Sequence, residues 1–296
     1  MTAPPYLKKG DKIGIVAPAR KISKEEIQFA IDVFEKWGLK VVLGKNIFEN
    51  EHQYSGSDEQ RAKDLQDMLD DNSIRAIISA RGGYGTLRII DKLDFKKFQK
   101  KPKWIIGYSD ITVLHSHIHQ NFEVETLHAT MPVNFHKDEE SVETLRKSLF
   151  GDGISYEISS NSLNRKGKTE GILAGGNLSL LYALKGSKSG ISTSGKILFI
   201  EDLDEYLYHI DRMMISLKRA GKLSHLAGLV VGGMTDMKDN QTPFGKTAEE
   251  IISDAVKEFD YPVCFGFPAG HQTKNLALIF GRKARLSVGQ NTILSY

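Results

Sequence analysis

The sequence contains a single cysteine, Cys264, among 296 residues. An intrachain disulfide is therefore excluded, and so is a metal site built on several cysteines. Cys264 lies in the apolar segment 262–265, so we interpret it as a small buried hydrophobic residue and not as a reactive thiol.

The chain also lacks a strong charge of one sign and a long hydrophobic run. Its formal net charge is +3 and its lysines are scattered, which argues against a nucleic-acid-binding surface. No apolar run approaches the length of a membrane span, and residues 1–10 contain no apolar signal core. We therefore expect a cytoplasmic protein with neither a nucleic acid nor a membrane as its partner.

Short apolar segments alternate with amphipathic ones in the first half of the chain. Residues 13–17, 41–43 and 76–78 are typical of buried strands. Ser23 and Ser57 are each followed three residues later by Glu or Gln, a capping-box pattern that predicts the start of a helix. The alternation predicts an α/β fold with a parallel sheet, whose ligands bind at the carboxyl ends of the strands.

The pattern weakens between residues 147 and 168, where turn-forming and polar residues dominate. We place a domain boundary there, with an N-terminal α/β domain at 1–150 and a smaller, mixed α/β C-terminal domain at 168–296. Neither an internal repeat nor a low-complexity segment is present.

Ser109 follows the apolar run 104–106 within Gly-Tyr-Ser-Asp, and a helix-type sequence comes next. A strand, a sharp turn and a helix start are how α/β hydrolases present a nucleophilic serine. Ile111 stands where the lipase motif has its last glycine, so the motif differs from Gly-x-Ser-x-Gly. The alternative is a serine that only caps a helix after an ordinary strand.

A serine nucleophile needs a base and a carboxylate that orients the base. Glu201 directly follows the buried run 197–200, and it is our candidate for the carboxylate. Asp202, Asp204 and Glu205 compete with it, and a solvated acidic loop before a helix is the alternative.

His271 lies in a loop rich in Gly and Pro and is our candidate for the base. The alternative is a loop histidine bonded to the backbone. His128 follows a short strand and is the second choice, whereas His209 falls within a helical segment.

The loop 81–85 follows a strand and contains three glycines. It lacks the spacing of a P-loop or of a dinucleotide-binding loop. We therefore expect the backbone amide of Gly82 or Gly83, beside that of Asp110, to stabilise an oxyanion.

Arg81, Tyr84 and Arg88 lie in or just after this glycine loop. Either arginine would suit a substrate carboxylate, or it is a surface charge. We include Arg81 and Tyr84 as candidate substrate-binding residues.

One segment resembles a metal cluster, because it carries three histidines at alternate positions. They are His115, His117 and His119. The apolar spacing of the segment predicts a helix, on which the middle histidine points away from the other two. We therefore expect no zinc site here.

Seven stretches resemble the LD-carboxypeptidases, a serine peptidase family that recycles murein peptides. They are 12–19, 80–85, 107–112, 174–181, 198–202, 210–214 and 266–271. The family's triad is Ser-Glu-His in chain order, which implies Ser109, Glu201 and His271 here. The resemblance also implies a glutaminase-like N-terminal domain, a homodimer and no metal or other cofactor.

The implied reaction is removal of the terminal D-alanine from a murein tetrapeptide, at the bond that joins it to the L-centre of a diamino acid. A sister branch resembles the peptidases of microcin C self-immunity, which cleave a peptidyl-nucleotide with the help of an aromatic stacking residue. The two tryptophans, Trp37 and Trp104, lie in helix- and strand-type sequence, so we rank murein first. The remaining alternative is a non-catalytic module that binds cell-wall fragments.

Overall fold

The computed structural model describes all 296 residues and has the expected α/β architecture. Its strands are β1 (Lys12–Val16), β2 (Lys40–Leu43), β3 (Ile74–Ser79), β4 (Trp104–Gly107), β5 (Thr126–His128), β6 (Ser155–Ser159), β7 (Gly167–Asn177), β8 (Lys196–Leu203), β9 (Gly228–Thr235), β10 (Val263–Cys264), β11 (Leu278–Phe280), β12 (Lys283–Val288) and β13 (Asn291–Ser295). Its α-helices are α1 (Lys24–Lys36), α2 (Asp58–Asp70), α3 (Thr86–Ile89), α4 (Lys96–Lys100), α5 (Thr112–Phe122), α6 (Glu139–Phe150), α7 (Leu178–Ala183), α8 (Leu207–Arg219) and α9 (Ala248–Ala255).

The first sheet has the strand order β11-β5-β4-β3-β1-β2. Strands β1 to β5 are parallel to their neighbours, and β11 is antiparallel to β5. The chain leaves β1 toward β2 on one side and later places β3 on the other side of β1. The gap between β1 and β3 is therefore a topological switch point, where open α/β sheets bind ligands.

The second sheet has the order β10-β9-β8-β7-β12-β13-β6. Strands β7 to β10 are parallel, whereas β12, β13 and β6 pair in antiparallel fashion. The mixed character expected for this half of the chain is confirmed. The carboxyl ends of β7 and β8 lie side by side, because Asn177 pairs with Glu201.

Both predicted capping boxes are present and begin α1 and α2. In each of them a serine hydroxyl accepts the third helical amide, and the Glu or Gln side chain returns a bond to the serine amide. The apolar face of α1 is buried at Ile27, Ala30 and Phe34, so the helix is held by its cap and by packing against the first sheet.

The chain crosses twice between its two halves. Strand β6, from the segment we expected to be a linker, pairs with β13. Strand β11, from the second half, completes the first sheet at β5. The domain boundary at 150–168 stays a prediction. None of the helices combines the length and the apolar character that a membrane-spanning helix needs.

Candidate active site

Ser109 lies at a sharp turn between β4 and α5. Its φ of 63° is in the left-handed region, which is unfavourable for any residue with a side chain. The turn closes tightly, because a Cβ on Gly107 would lie only 2.8 Å from Cγ1 of Ile111. The hydroxyl caps no helix: the short 3₁₀ turn Ser109–Ile111 and α5 both begin without a side-chain cap. The sequence-based alternative of a capping serine is therefore excluded.

The structure brings Ser109, His271 and Glu201 together, although they lie far apart in the chain. The Ser109 Oγ lies 3.0 Å from Nε2 of His271, and Nδ1 of the same ring lies 2.6 Å from Oε2 of Glu201. The imidazole thus hydrogen-bonds to the serine on one side and to the carboxylate on the other. This is the geometry that a serine nucleophile, its base and an orienting carboxylate require.

The loop that carries His271 is fixed against Glu201. The His271 backbone amide donates to Oε2 at 3.1 Å, and the preceding Gly270 has a φ of 104°. Gly270 also donates its own amide to Oδ1 of Asn275 at 2.8 Å. The ring packs edge-on against Tyr108, with 4.9 Å between the ring centroids. The imidazole therefore has little freedom to rotate.

Glu201 lies inside β8 and is fully buried, whereas a solvated acidic loop was the sequence-based alternative. That alternative describes Asp204, whose side chain is 61% exposed and pairs with Lys238. Burial of Glu201 strengthens its effect on the neighbouring imidazole. Although burial by itself lowers the pKa of His271, the charge of Glu201 and its hydrogen bond outweigh burial, and the pKa is raised.

The glycine loop reaches the serine. A Cβ on Gly82 would lie 2.7 Å from Cβ and 2.8 Å from Oγ of Ser109, so only glycine permits this approach. The backbone amides of Gly82, Gly83 and Asp110 donate to no other group of the protein. The Asp110 carboxylate is buried and accepts the amide of Thr86 at 2.7 Å, which anchors the start of α3 to the serine turn.

Two of the candidate substrate-binding side chains line the same cleft as Ser109. Arg81 donates to the carbonyl of Lys21 at 3.2 Å and lies 3.4 Å from Glu26, so its charge is already engaged. Tyr84 is 44% exposed. Arg88 lies outside this cleft and pairs with Asp58.

The other candidate bases are not in contact with Ser109. His128 is fully buried against Phe199 and Phe280, and neither ring nitrogen has a hydrogen-bond partner. His128 was the second choice for the base, and that prediction is wrong. It is the last residue of β5, and this strand ends in the core. His209 lies on α8 and hydrogen-bonds to Glu205 at 2.6 Å.

The three histidines of α5 do not converge. Their ring nitrogens pair separately: His115 with the Gly107 carbonyl, His117 with the Ser189 hydroxyl and His119 with the Thr126 hydroxyl. No cluster of three His, Cys, Asp or Glu side chains with metal-site geometry occurs in the structure. Cys264 is fully buried, and burial raises the pKa of its thiol to about 12, as expected for a structural residue.

The cleft around Ser109 has a volume of about 850 Å³ and is lined by both sheets. It includes Asn177, which the sequence analysis did not single out, and Asp202, which was considered there only as a competitor of Glu201. Asn177 Nδ2 donates to Asp202 at 2.8 Å, and the Ser179 amide donates to the same carboxylate at 2.9 Å. Burial, together with the adjacent charge of Glu201, raises the pKa of Asp202 to about 7. The Gly-Gly-Asn sequence at the end of β7 is the feature of the sequence that could have indicated Asn177.

Comparison with known families settles the relationship. A model of the LD-carboxypeptidase N-terminal domain matches residues 13–129, and a model of the C-terminal domain matches residues 170–286. The chain belongs to the LD-carboxypeptidase family. It is therefore a peptidase, and so a hydrolase.

Two bacterial relatives are similar to the chain over nearly their whole length. A probable murein peptide carboxypeptidase of Bacillus subtilis is 37% identical over 98% of this chain and 92% of its own. The murein tetrapeptide carboxypeptidase of Pseudomonas aeruginosa is 27% identical over 93% of this chain and 92% of its own.

Solved structures show the same fold. A muramoyltetrapeptide carboxypeptidase from Oxalobacter formigenes has a TM-score of 0.87 and 26% identity, covering 96% of this chain and 98% of that one. The microcin C7 self-immunity protein MccF has a TM-score of 0.88 and 23% identity, covering 98% and 97%. At that identity, the second similarity describes the fold alone.

Proposed function

We propose that the protein is a serine-type LD-carboxypeptidase that removes the terminal D-alanine from murein tetrapeptides. The scissile bond joins the L-centre of the diamino acid to D-alanine. The observation that carries the proposal is the contact series from Ser109 through His271 to Glu201, at 3.0 and 2.6 Å. The murein substrate is inferred from the two relatives, which are a probable murein peptide carboxypeptidase and a murein tetrapeptide carboxypeptidase.

In the acylation step, the Ser109 oxygen attacks the carbonyl carbon of the scissile bond while Nε2 of His271 takes the hydroxyl proton. Glu201 stabilises the imidazolium that forms. The free amides of Gly82, Gly83 and Asp110 are the candidate donors to the oxyanion, and one such donor contributes on the order of 10²–10³ in rate. His271 then protonates the leaving amine, so D-alanine departs and an ester to Ser109 remains.

In the deacylation step, His271 takes a proton from water, and the resulting hydroxide attacks the ester carbonyl. The C–O bond to Ser109 breaks, and the serine oxygen recovers its proton from His271. The shortened peptide leaves with a new carboxylate. Every proton is transferred by one imidazole, so the proposed reaction requires no metal and no other cofactor.

The aromatic residues near the cleft bear on whether the substrate is a murein peptide or a peptidyl-nucleotide. A peptidyl-nucleotide substrate calls for an aromatic platform. Neither tryptophan supplies it, because neither lines the cleft, whereas the exposed Tyr84 does line it. Trp104 is fully buried in β4, and Trp37 packs edge-on against Phe34 and Phe150 beyond the end of α1. The tryptophans therefore give the microcin-type alternative no support, and the murein peptide is ranked first on the relatives, which are more similar in sequence than MccF.

A homodimer and a cytoplasmic location remain predictions. Light scattering coupled to size-exclusion chromatography tests the homodimer.

Metal independence is tested by treating the enzyme with a strong chelator before the assay. We expect the activity to be retained. A loss of activity that added metal restores would contradict metal independence.

The function is tested by incubating the purified protein with defined tetrapeptides and detecting released D-alanine by mass spectrometry. An aminoacyl-sulfamoyl adenosine serves as the competing substrate. We expect D-alanine from the tetrapeptide and much slower cleavage of the nucleotide analogue. Faster cleavage of the analogue would favour the microcin-type alternative. Saturable binding of the peptide without any hydrolysis would favour the non-catalytic module.

A further inference from the structure

A carboxypeptidase recognises a free carboxylate very close to the bond it cuts. In the proposed reaction, three bonds separate the attacked carbonyl carbon from the carboxylate carbon of D-alanine. The two carbons are therefore no more than about 4 Å apart. The group that binds this carboxylate must reach the immediate surroundings of Ser109. The inference below rests on the proposed function and names that group.

Three arginine or lysine side chains line the cleft: Arg20, Arg81 and Lys137. Arg81 is held by the Lys21 carbonyl and by Glu26, as described above. The charged ends of Arg20 and Lys137 form neither a hydrogen bond nor an ion pair with any protein group. Only these two cations therefore have all their donors free for a ligand.

Arg20 packs against the same glycine loop that reaches the serine. Its side chain lies directly across Gly83, where a Cβ would overlap both Cγ and Cδ of the arginine. The neighbouring Gly82 makes the same kind of close approach to the Ser109 hydroxyl. Two adjacent glycines thus separate the stem of Arg20 from the nucleophile.

The fold explains why these residues meet. Arg20 follows β1, Gly83 follows β3 and Ser109 follows β4, so they occupy the carboxyl edge of three adjacent strands at the switch point of the first sheet. Buried Arg61 ties the first two loops together, donating to the Pro18 carbonyl at 2.5 Å and to the Gly85 carbonyl at 3.1 Å. The backbone of the loop that carries Arg20 is therefore held in place.

The charges of the cleft are also divided between its walls. Arg20 and the glycine loop belong to the wall from the first sheet. The wall from the second sheet contributes Asp202, Asp204 and Glu205 and no lysine or arginine. Asp202 is buried and bonded to Asn177, while Asp204 and Glu205 pair with Lys238 and His209. A substrate carboxylate therefore finds an unpaired cation on the first wall and none on the second.

We propose that Arg20 binds the terminal carboxylate of the substrate, so that it sets the enzyme's requirement for a free C-terminus. The guanidinium offers two parallel N–H donors, which match the two oxygens of a carboxylate. Arg20 acts on substrate binding and takes no part in proton transfer.

The test uses two tetrapeptides that differ only at the C-terminus: one ends in D-alanine, the other in D-alaninamide. The kcat and KM of both are measured for the native enzyme and for Arg20→Gln, Arg20→Lys and Lys137→Gln. For the native enzyme we expect a preference for the free acid. Arg20→Gln should raise KM for the acid about 10- to 100-fold and leave the amide almost unchanged, because a charge-assisted hydrogen bond is lost. Arg20→Lys should recover part of the preference, and Lys137→Gln should retain it.

Thermal unfolding of each variant establishes that it is folded, and the exposed Arg20 side chain makes this the expected result. Equal losses on the acid and the amide in Arg20→Gln would overturn the inference, as would loss of the preference in Lys137→Gln and not in Arg20→Gln. Both results leave the proposed function standing. A native enzyme that releases no D-alanine from either peptide would overturn the function and the inference together.

Discussion

His271 contacts the same oxygen of Glu201 twice, through its backbone amide at 3.1 Å and through its ring Nδ1 at 2.6 Å. One carboxylate oxygen thereby fixes the loop, the orientation of the ring and the tautomer that leaves Nε2 free to accept a proton from Ser109. The proposed role of His271 as the base depends on this double contact.

Replacing the carboxylate tests this role. Glu201→Gln keeps the shape of the side chain, but it removes the charge that stabilises the imidazolium. We expect kcat to fall by about 10³–10⁴-fold with the fold retained. Glu140→Gln is the matched control, because it removes a half-exposed surface carboxylate that pairs with Lys274. A loss in Glu201→Gln no larger than that of the control would contradict the assignment.

The pH dependence follows from the raised pKa of His271. The base must be neutral to accept the serine proton, so kcat/KM should increase with pH through an apparent pKa above about 6.5. In Glu201→Gln this limb should move to lower pH, because burial then acts without the opposing charge. The free energy of unfolding changes with pH in the opposite direction. The His271–Glu201 pair contributes fully to it below the pKa of an unfolded histidine, and this contribution is lost as the pH rises through the pKa of His271 in the folded protein. A pH–rate profile that does not move in the variant would contradict this explanation.

Gly270 permits the contact between loop and carboxylate. A Cβ at this position would lie 2.7 Å from Cβ and Cγ of Glu201, and the φ of 104° is strained for alanine. Gly270→Ala should therefore displace His271 and lower kcat on the order of 10²-fold. Gly221→Ala is the control, since its φ is 70° but no atom lies within 4 Å of the added methyl group. If both variants keep native kcat, the close packing of Gly270 is not needed for catalysis.

Arg61 should matter for stability as well as for activity. It is 2% exposed and donates to the carbonyls of Gly56, Pro18 and Gly85, and it pairs with Asp58. Arg61→Met leaves these acceptors unpaired, so we expect a loss of roughly 2–4 kcal/mol in the free energy of unfolding, together with a lower kcat.

Arg88→Met is the matched control for that experiment. It removes an exposed guanidinium from the same Asp58 carboxylate, and we expect little change in the denaturant midpoint. Equal destabilisation of the two variants would show that the buried contacts of Arg61 to the two loops contribute nothing measurable.

Local sequence patterns predicted much of the fold. The capping boxes at Ser23 and Ser57, and the turn at Ser109, depend on residues close together in the chain, so their patterns were sufficient. Strands β6 and β13 were missed, because each is only five residues long and leaves a weak pattern among turn residues.

The cleft was harder to predict from the sequence, because the order in which the strands pair decides which residues line it. Arg20 has no distinctive local pattern, and the Gly-Gly-Asn sequence that ends β7 does not show what Asn177 faces. Only the pairing of β1 with β3 and of β7 with β8 brings the two residues to the cleft. His128 was the second choice for the base because it follows a short strand in the sequence-based prediction. The sequence could not show that β11 covers this strand and buries the ring.

The most direct measurement of the central claim is the kcat/KM of Ser109→Ala for D-alanine release from the tetrapeptide. Removing the hydroxyl deletes the nucleophile but leaves the cleft, His271 and Glu201 in place. We predict a loss of at least about 10⁴-fold, with peptide binding retained. Hydrolysis that persists in this variant at a rate near that of the native protein would contradict the account.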